Sequence, residues 1–203
     1  AATGAEMFQI PINGDGNMLA FSKDGKYLIS GDQIGEIHVW DISALPASTN
    51  YFQLESVASN VQYSPSGDWI AVSDEKQVWL LNKNQIATQS GIVQDPPILS
   101  FDAFIEEIIV SPDSKWIGVT TDEGEVVLYN VAARSKRTVE KFENVPAIVF
   151  SSDSTRLITG DFDGYVQAWD VTNGELLLDL LSNETEIMSL ASAADQLAVG
   201  LQD

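Results

Sequence analysis

One unit recurs four times along the chain: an apolar run, a serine with Asp or Pro nearby, a turn, a second apolar run, and an ending that pairs an apolar residue with Asp or Asn. The copies run from Leu19-Ala20-Phe21-Ser22 to Trp40-Asp41, and from Val61-Gln62-Tyr63-Ser64 to Leu81-Asn82. They continue from Ile108-Ile109-Val110-Ser111 to Tyr129-Asn130, and from Ile148-Val149-Phe150-Ser151 to Trp169-Asp170. Serines 22, 64, 111 and 151 lie 42, 47 and 40 residues apart. A period near ~40 residues is that of a β-propeller, in which each repeat is one small sheet, stable only against its neighbours.

Inside each copy the apolar residues alternate over short runs rich in Val, Ile, Tyr, Phe and Trp, which is strand patterning. In the fourth copy the inner strand is Ala147 to Ser151, followed by strands Arg156 to Gly160, Tyr165 to Asp170 and Glu175 to Leu181. Asp163-Gly164 and Asn173-Gly174 supply the positive φ that tight turns demand. The expected fold is therefore all-β: a propeller of four-stranded antiparallel blades at 17–55, 58–100, 105–143 and 145–182. Partial blades are expected at 6–12 and 187–203, giving about four complete blades plus two partial ones. Closed propellers have ~4–8 blades, and both ends would carry unpaired strand edges. The chain is thus expected to be a single segment of a larger propeller. The long connection from Asn84 to Asp102, with Asp95-Pro96-Pro97, reads either as an elongated outer strand with a loop or as a partner-specific insertion.

The repeats resemble those of the WD-repeat family from about Phe8 to the C-terminus. Trp40-Asp41 and Trp169-Asp170 match its terminal dipeptide, and Asp163-Gly164 with Trp169 is the best-matched stretch. The second and third copies end in Leu81-Asn82 and Tyr129-Asn130 and are degenerate; no copy has the family's Gly-His pair before the inner strand. The resemblance implies a scaffold whose upper face, built from two sets of loops, binds partners.

Thirty acids against ten bases leave a net charge of −20. Such a chain repels nucleic-acid phosphates and anionic membrane surfaces and favours basic partners. No run of ~18 apolar residues suggests a membrane-spanning helix. The first residues lack an initiator Met and the basic-then-apolar pattern of a signal peptide, which suggests an excised or processed segment. The absence of cysteine excludes disulfides and thiolate metal sites and leaves localisation open between a cytoplasmic compartment, the favoured one, and export.

The acids are not scattered. Loops joining an outer strand to the next inner strand would hold Asp15, Asp102, Glu106, Glu107, Glu143, Glu184 and Glu186. Loops joining second to third strands would hold Asp32, Glu36, Asp74, Glu75, Asp122, Glu123, Glu125, Asp161 and Asp163. Both sets fall on one rim, with Lys76 as the single base assigned to it. The opposite rim takes Lys23, Lys26, Lys83, Lys115, Arg134, Lys136, Arg137 and Arg156. Asp122 and Asp163 read first as turn residues. The candidate partner-binding residues are Glu106, Glu107, Asp122, Glu123, Asp161, Asp163, Glu184 and Glu186.

His38 is the only histidine. It cannot furnish a multi-His metal site, and no particular Ser and Asp is singled out to join it in a triad. A structural or surface role is expected for it, with no metal, no cofactor and no catalytic residue. The expected function is a non-catalytic protein–protein interaction scaffold or sensor module, binding a basic peptide or protein on the acidic face. Additional blades, from the same or another chain, would be its other partner. The alternative is a hydrolase- or lactonase-like propeller enzyme with a carboxylate-held metal in its central channel.

Overall fold

The computed structural model describes residues 16–43, 48–82, 85, 91–143, 147–181, 185–194 and 196–202. The first sheet contains β1 (Gly16–Phe21), β2 (Tyr27–Asp32), β3 (Glu36–Asp41) and β4 (Ser48–Gln53). The second contains β5 (Asn60–Tyr63), β6 (Trp69–Ser73) and β7 (Gln77–Asn82). Next in the chain come the two-residue strands β8 (Gly91–Ile92) and β9 (Leu99–Ser100). The third blade is β10 (Ile105–Val110), β11 (Trp116–Thr121), β12 (Glu125–Asn130) and β13 (Ser135–Lys141). The fourth is β14 (Ala147–Phe150), β15 (Arg156–Gly160), β16 (Tyr165–Asp170) and β17 (Leu176–Leu181), and a two-stranded sheet of β18 (Ile187–Ala193) and β19 (Gln196–Leu201) follows.

The third and fourth sheets are antiparallel meanders in chain order, and the second ends β7–β9. No pairing among the described residues joins the last sheet to the first, so the propeller they form is partial and open. The expected strand from Glu6 to Ile12 lies outside the described residues. The long connection does not form an elongated outer strand. β8 pairs in parallel with β4 as a fifth strand on the preceding sheet, held also by the bond from Val93 N–H to the Gln53 carbonyl at 3.0 Å. β9 then returns to pair with β7.

Period-two alternation sends successive side chains of each strand to opposite faces, and each face packs on a different neighbour. Ile29, Ile37, Val39 and Phe52 of the first blade meet Val61, Ile70, Val72, Trp79 and Leu81 of the second. Trp69, Ala71, Val78 and Leu99, on the second blade's other face, meet Ile108, Ile117, Val119, Val127 and Tyr129. Val126 and Leu128 of the third blade meet Ile148, Phe150, Leu157 and Trp169. The penultimate residue of each third strand (Leu81, Tyr129 or Trp169) therefore anchors its blade to the preceding one. Trp40 occupies the equivalent position on the first blade and is also buried.

The indoles carry a hydroxyl partner with them. Trp40 Nε1 donates to Ser30 Oγ at 3.0 Å, and Trp169 Nε1 to Thr159 Oγ1 at 3.1 Å, both within the buried interior. In the two copies that lack the tryptophan, the corresponding second-strand residue is Val72 or Val119. Indole and hydroxyl are replaced together because either one alone would leave a buried polar group unpaired.

The recurring serine organises the turn at the end of each inner strand. Oγ of Ser22, Ser64, Ser111 and Ser151 accepts the N–H of Tyr27, Trp69, Trp116 and Arg156, at 3.0, 3.1, 3.0 and 3.0 Å. In three copies the same hydroxyl donates to the aspartate two residues on: Asp24, Asp113 or Asp153. The turn requires a left-handed residue, which is Gly25 or Gly67 in the first two copies and Ser114 (φ 63°) or Ser154 (φ 61°) in the others. A side chain at such φ is strained. Here its hydroxyl reaches across to the preceding blade: Ser114 Oγ accepts the N–H of Ser66 at 2.9 Å, and Ser154 Oγ accepts that of Asp113 at 3.0 Å.

Two outcomes follow from this packing. Trp169→Ala should destabilise the fold by about 3–5 kcal/mol, the range for truncating a large buried aromatic, as measured by denaturant unfolding. At position 154 the usual order should invert: Ser154→Gly loses the staple but relieves the strain, whereas Ser154→Ala loses the staple and keeps the strain. Alanine should therefore be the less stable of the two by about 1 kcal/mol, and equal midpoints would show that the left-handed turn imposes no cost.

Candidate functional site

The two sets of rim loops are laced together by their backbones. Leu54 N–H bonds the Gly35 carbonyl at 2.9 Å, Phe101 that of Lys76 at 2.9 Å, Phe142 that of Gly124 at 2.9 Å, and Ile187 that of Asp161 at 3.0 Å. Outer-to-inner connections therefore lie against the turns between second and third strands, at one end of the blades.

Many of the rim's acids are occupied in holding these turns. Asp32 Oδ1 accepts the N–H groups of Ile34 and Glu36 at 3.0 and 2.8 Å. Asp74 Oδ1 accepts those of Lys76 and Gln77 at 2.8 and 2.6 Å. Asp161 Oδ1 accepts those of Asp163 and Tyr165 at 3.0 and 2.9 Å. In the third blade Thr121 Oγ1 takes this position and accepts Glu125 N–H, while Asp122 Oδ1 clamps Phe104 N–H at 2.8 Å. The first acid of the turn, Asp161, is thus the clamp rather than Asp163, whose side chain is exposed at the position equivalent to Glu123.

Contrary to the expectation from sequence, Glu106 and Glu107 are not in a connecting loop. Both belong to inner strand β10, at a bulge: Ile105 pairs with Thr121 and Glu107 with Thr120, leaving one extra residue between them. A bulge re-aims side chains, and here Glu106 and Glu107 are both exposed between buried Ile105 and Ile108. They line a cavity of about 390 Å³ between inner strands β10, β14 and β18, with Thr120, Phe162, Ile187 and Met188 on its walls. Partial desolvation pushes the Glu107 carboxyl above its ordinary value. Thr120 Oγ1 is buried and has no partner among the described residues.

The rim also holds a second base. Lys141 ends β13 opposite Glu125, and its Nζ lies 3.2 Å from Glu123 Oε2 in an exposed pair. Lys76 Nζ donates to the Asp102 carbonyl at 2.6 Å and lies over the Phe104 ring, so it reinforces a loop. Glu186 is exposed at the base of β18, and Glu184 lies outside the described residues. On the other rim, the turn aspartates are held low. The Ser151 hydroxyl and the Thr155 N–H bring Asp153 down to about 2.

His38 is not alone. Asp32, Glu36 and His38 bring one potential ligand atom each to within 4.8 Å of one another, on the first blade's second and third strands. This group is neither the triad nor the multi-histidine site against which His38 is weighed from sequence. The spacing of Glu36 and His38, two residues apart on a strand and so on one face, was its available signal.

A family model for the WD domain, G-beta repeat, matches residues 136–170. That stretch is β13 of one blade plus β14 to β16 of the next, so the sequence unit straddles two sheets. Among curated proteins, a Drosophila melanogaster LST8 homolog is 23% identical over 161 residues, covering 74% of this chain and 50% of the relative. Drosophila melanogaster protein groucho is 24% identical over 199 residues, covering 91% of this chain and 26% of the relative. The chain therefore spans half or less of the length of these relatives. The β-propeller domain of Cps50 (Swd1) from Myceliophteria thermophila superposes with a TM-score of 0.78 at 15% identity, covering 95% of this chain and 64% of that one. With the in-phase repeats and blades, these matches support a WD-repeat type of β-propeller with degenerate repeats.

A carboxyl with a folded-state value above its unfolded one favours the fold most at low pH, and that contribution is lost as pH rises through the folded value. Glu107→Gln should accordingly raise the unfolding midpoint at pH 7, and the difference from the parent should vanish below about pH 4, where both side chains are neutral. Equal midpoints at both pH values would mean that the cavity does not desolvate this group.

Proposed function

We propose that this chain is a non-catalytic interaction scaffold whose acidic rim docks a basic peptide or protein. The observation that carries the reading is the bulge in β10, which presents two adjacent glutamates in a partly apolar cavity at the inner strands. Structural clamping accounts for Asp32, Asp74, Asp122 and Asp161, but neither Glu106 nor Glu107 bonds a turn in this way. Carboxylates in a concave, partly desolvated site attract a cationic group more strongly than the same charges on a flat surface. Glu123, Asp163 and Glu186 would extend the field along the rim, and complementary charge would act chiefly on association rate. The match to the WD domain, G-beta repeat model supports a scaffold, and the acidic cavity supports a basic partner.

The ring is proposed to be completed by further blades, from the same or another chain. Apolar side chains at Leu176, Leu177, Leu178 and Leu180 of β17 and at Leu197, Val199 and Leu201 of β19 are exposed, and covering such surface is the usual fate of an apolar face. The enzyme alternative gains no support from the described carboxylate–histidine group. It sits on second and third strands rather than on the inner strands that line a channel.

Reversing Glu106, Glu107 and Glu123 together to Lys should slow association with a basic partner by tenfold or more at low salt. Reversing Lys23, Lys26 and Lys115 to Glu should leave it unchanged. Each rim charge is worth only about 0–1 kcal/mol, hence the triple substitution. Added salt should weaken the parent complex, since exposed charges are screened over ~8 Å at physiological ionic strength. Association rates at two salt concentrations check both points; salt-independent binding that survives the rim reversal would move the site elsewhere.

A further inference from the structure

We propose that Asp32, Glu36 and His38 form a binding site for one first-row divalent cation, with Zn²⁺ as its representative. Asp32 ends β2 and Glu36 opens β3 across a short turn, while His38 follows two residues later on the same face of the strand. The three candidate ligand atoms lie within 4.8 Å of one another, and His38 Nε2 is 3.1 Å from Glu36 Oε2. Zinc bonds of ~2.0–2.2 Å to nitrogen and oxygen put neighbouring ligand atoms roughly 3.2–3.6 Å apart about a tetrahedral centre. One edge of the group already has nearly that spacing.

Independent of this proximity, two buried atoms lack partners. Asp32 is fully buried, with 0% of its surface exposed. Its Oδ1 is engaged by the turn, but Oδ2 has no partner among the described residues, and neither does the buried Nδ1 of His38. Unpaired polar atoms in a protein interior are rare because desolvating them is unfavourable. No lysine or arginine of the described ion pairs reaches either carboxylate. A cation held by Asp32 Oδ2, Glu36 and His38 Nε2 would satisfy the first of these atoms and neutralise the adjacent acids.

The surroundings suit a metal centre. His38 stacks on Trp40 with ring centres 5.3 Å apart and lies 6.1 Å from Tyr51, while Trp40 is itself fixed by Ser30. The ring plane of the imidazole is thereby fixed by packing. The Glu36 and His38 side chains keep 23% and 14% of their surface exposed, which leaves a path from solvent. One imidazole with two carboxylates suits Zn²⁺. Ca²⁺ requires six to eight oxygens and Mg²⁺ a largely hydrated octahedron. Three protein ligands leave a coordination position for water or a donor from a bound partner.

The protein carrying this chain, stripped of metal by chelator, would be titrated with Zn²⁺ alone by calorimetry, alongside thermal unfolding. One saturable site per chain and a higher unfolding midpoint are expected, with Ca²⁺ and Mg²⁺ giving neither at the same concentration. His38→Gln and Glu36→Gln should each weaken the site on the order of tenfold or more, whereas Glu123→Gln on the rim should not. Asp32→Asn can disturb the turn that Oδ1 holds, so the first two variants, verified as folded by circular dichroism, decide the outcome. A folded parent with no saturable Zn²⁺ site, a site unchanged in both variants, or equal binding of Ca²⁺ would overturn the proposal.

Discussion

A four-stranded sheet has two faces, and in this chain each face of an interior blade is apolar, so no blade can bury its own hydrophobic surface. Face-to-face packing of successive blades is what the rest of the structure depends on. Ile70, Val72 and Leu81 point back to the first blade while Ala71 and Val78 point forward to the third. Burial at about 25 cal/mol per Å² rewards this arrangement only when a neighbour is present, which makes stability a property of adjacent pairs rather than of single repeats. It also explains why the third-strand anchor tolerates Trp, Tyr or Leu. The position requires apolar volume, and the hydroxyl beneath it is needed only when the anchor carries an N–H of its own.

Blade packing fixes the sheets face to face, and the turns fix how they meet at the edges. On one side, a serine hydroxyl at the end of each inner strand replaces a missing ladder partner and recruits an aspartate in three copies. The two left-handed serines extend that local motif across the interface, so a strained conformation at one blade satisfies a backbone donor on another. Strain of this kind persists only where surrounding contacts enforce it.

Acidity on the opposite rim has two physical origins. Aspartates such as Asp32, Asp74 and Asp161 are there because a short carboxylate can accept two turn amides at once. Glu106 and Glu107 cannot be explained in that way. Their bulge leaves two charged side chains beside Phe162, Ile187 and Met188, and partial desolvation holds the Glu107 carboxyl above its ordinary value. Such a local conflict with stability is what a binding surface often shows. Charge at the rim is thus partly a by-product of turn chemistry, and only the remainder is available for recognition.

Much of this was legible in the residues themselves. Repeat period, strand alternation and Gly- or Ser-bearing turns are set by neighbours within a few positions, so the sequence alone determined the all-β class, the four blades and nearly every strand of the fourth. Asp122 reads as a residue of its own hairpin turn, but that place is taken by Thr121, and Asp122 holds Phe104 of the neighbouring connection instead. Other features were decided only by tertiary structure, because they depend on distances between segments far apart in the chain. β8 pairs across to the first sheet, Ser114 and Ser154 reach neighbouring blades, and Lys141 arrives beside Glu123 through the register of β12 with β13. The bulge in β10 moved Glu106 and Glu107 from an expected loop onto an inner strand, since one extra residue changes every subsequent side-chain direction. His38 shows the same division: its alternation with Glu36 is written in the sequence, but only the hairpin brings buried Asp32 beside them.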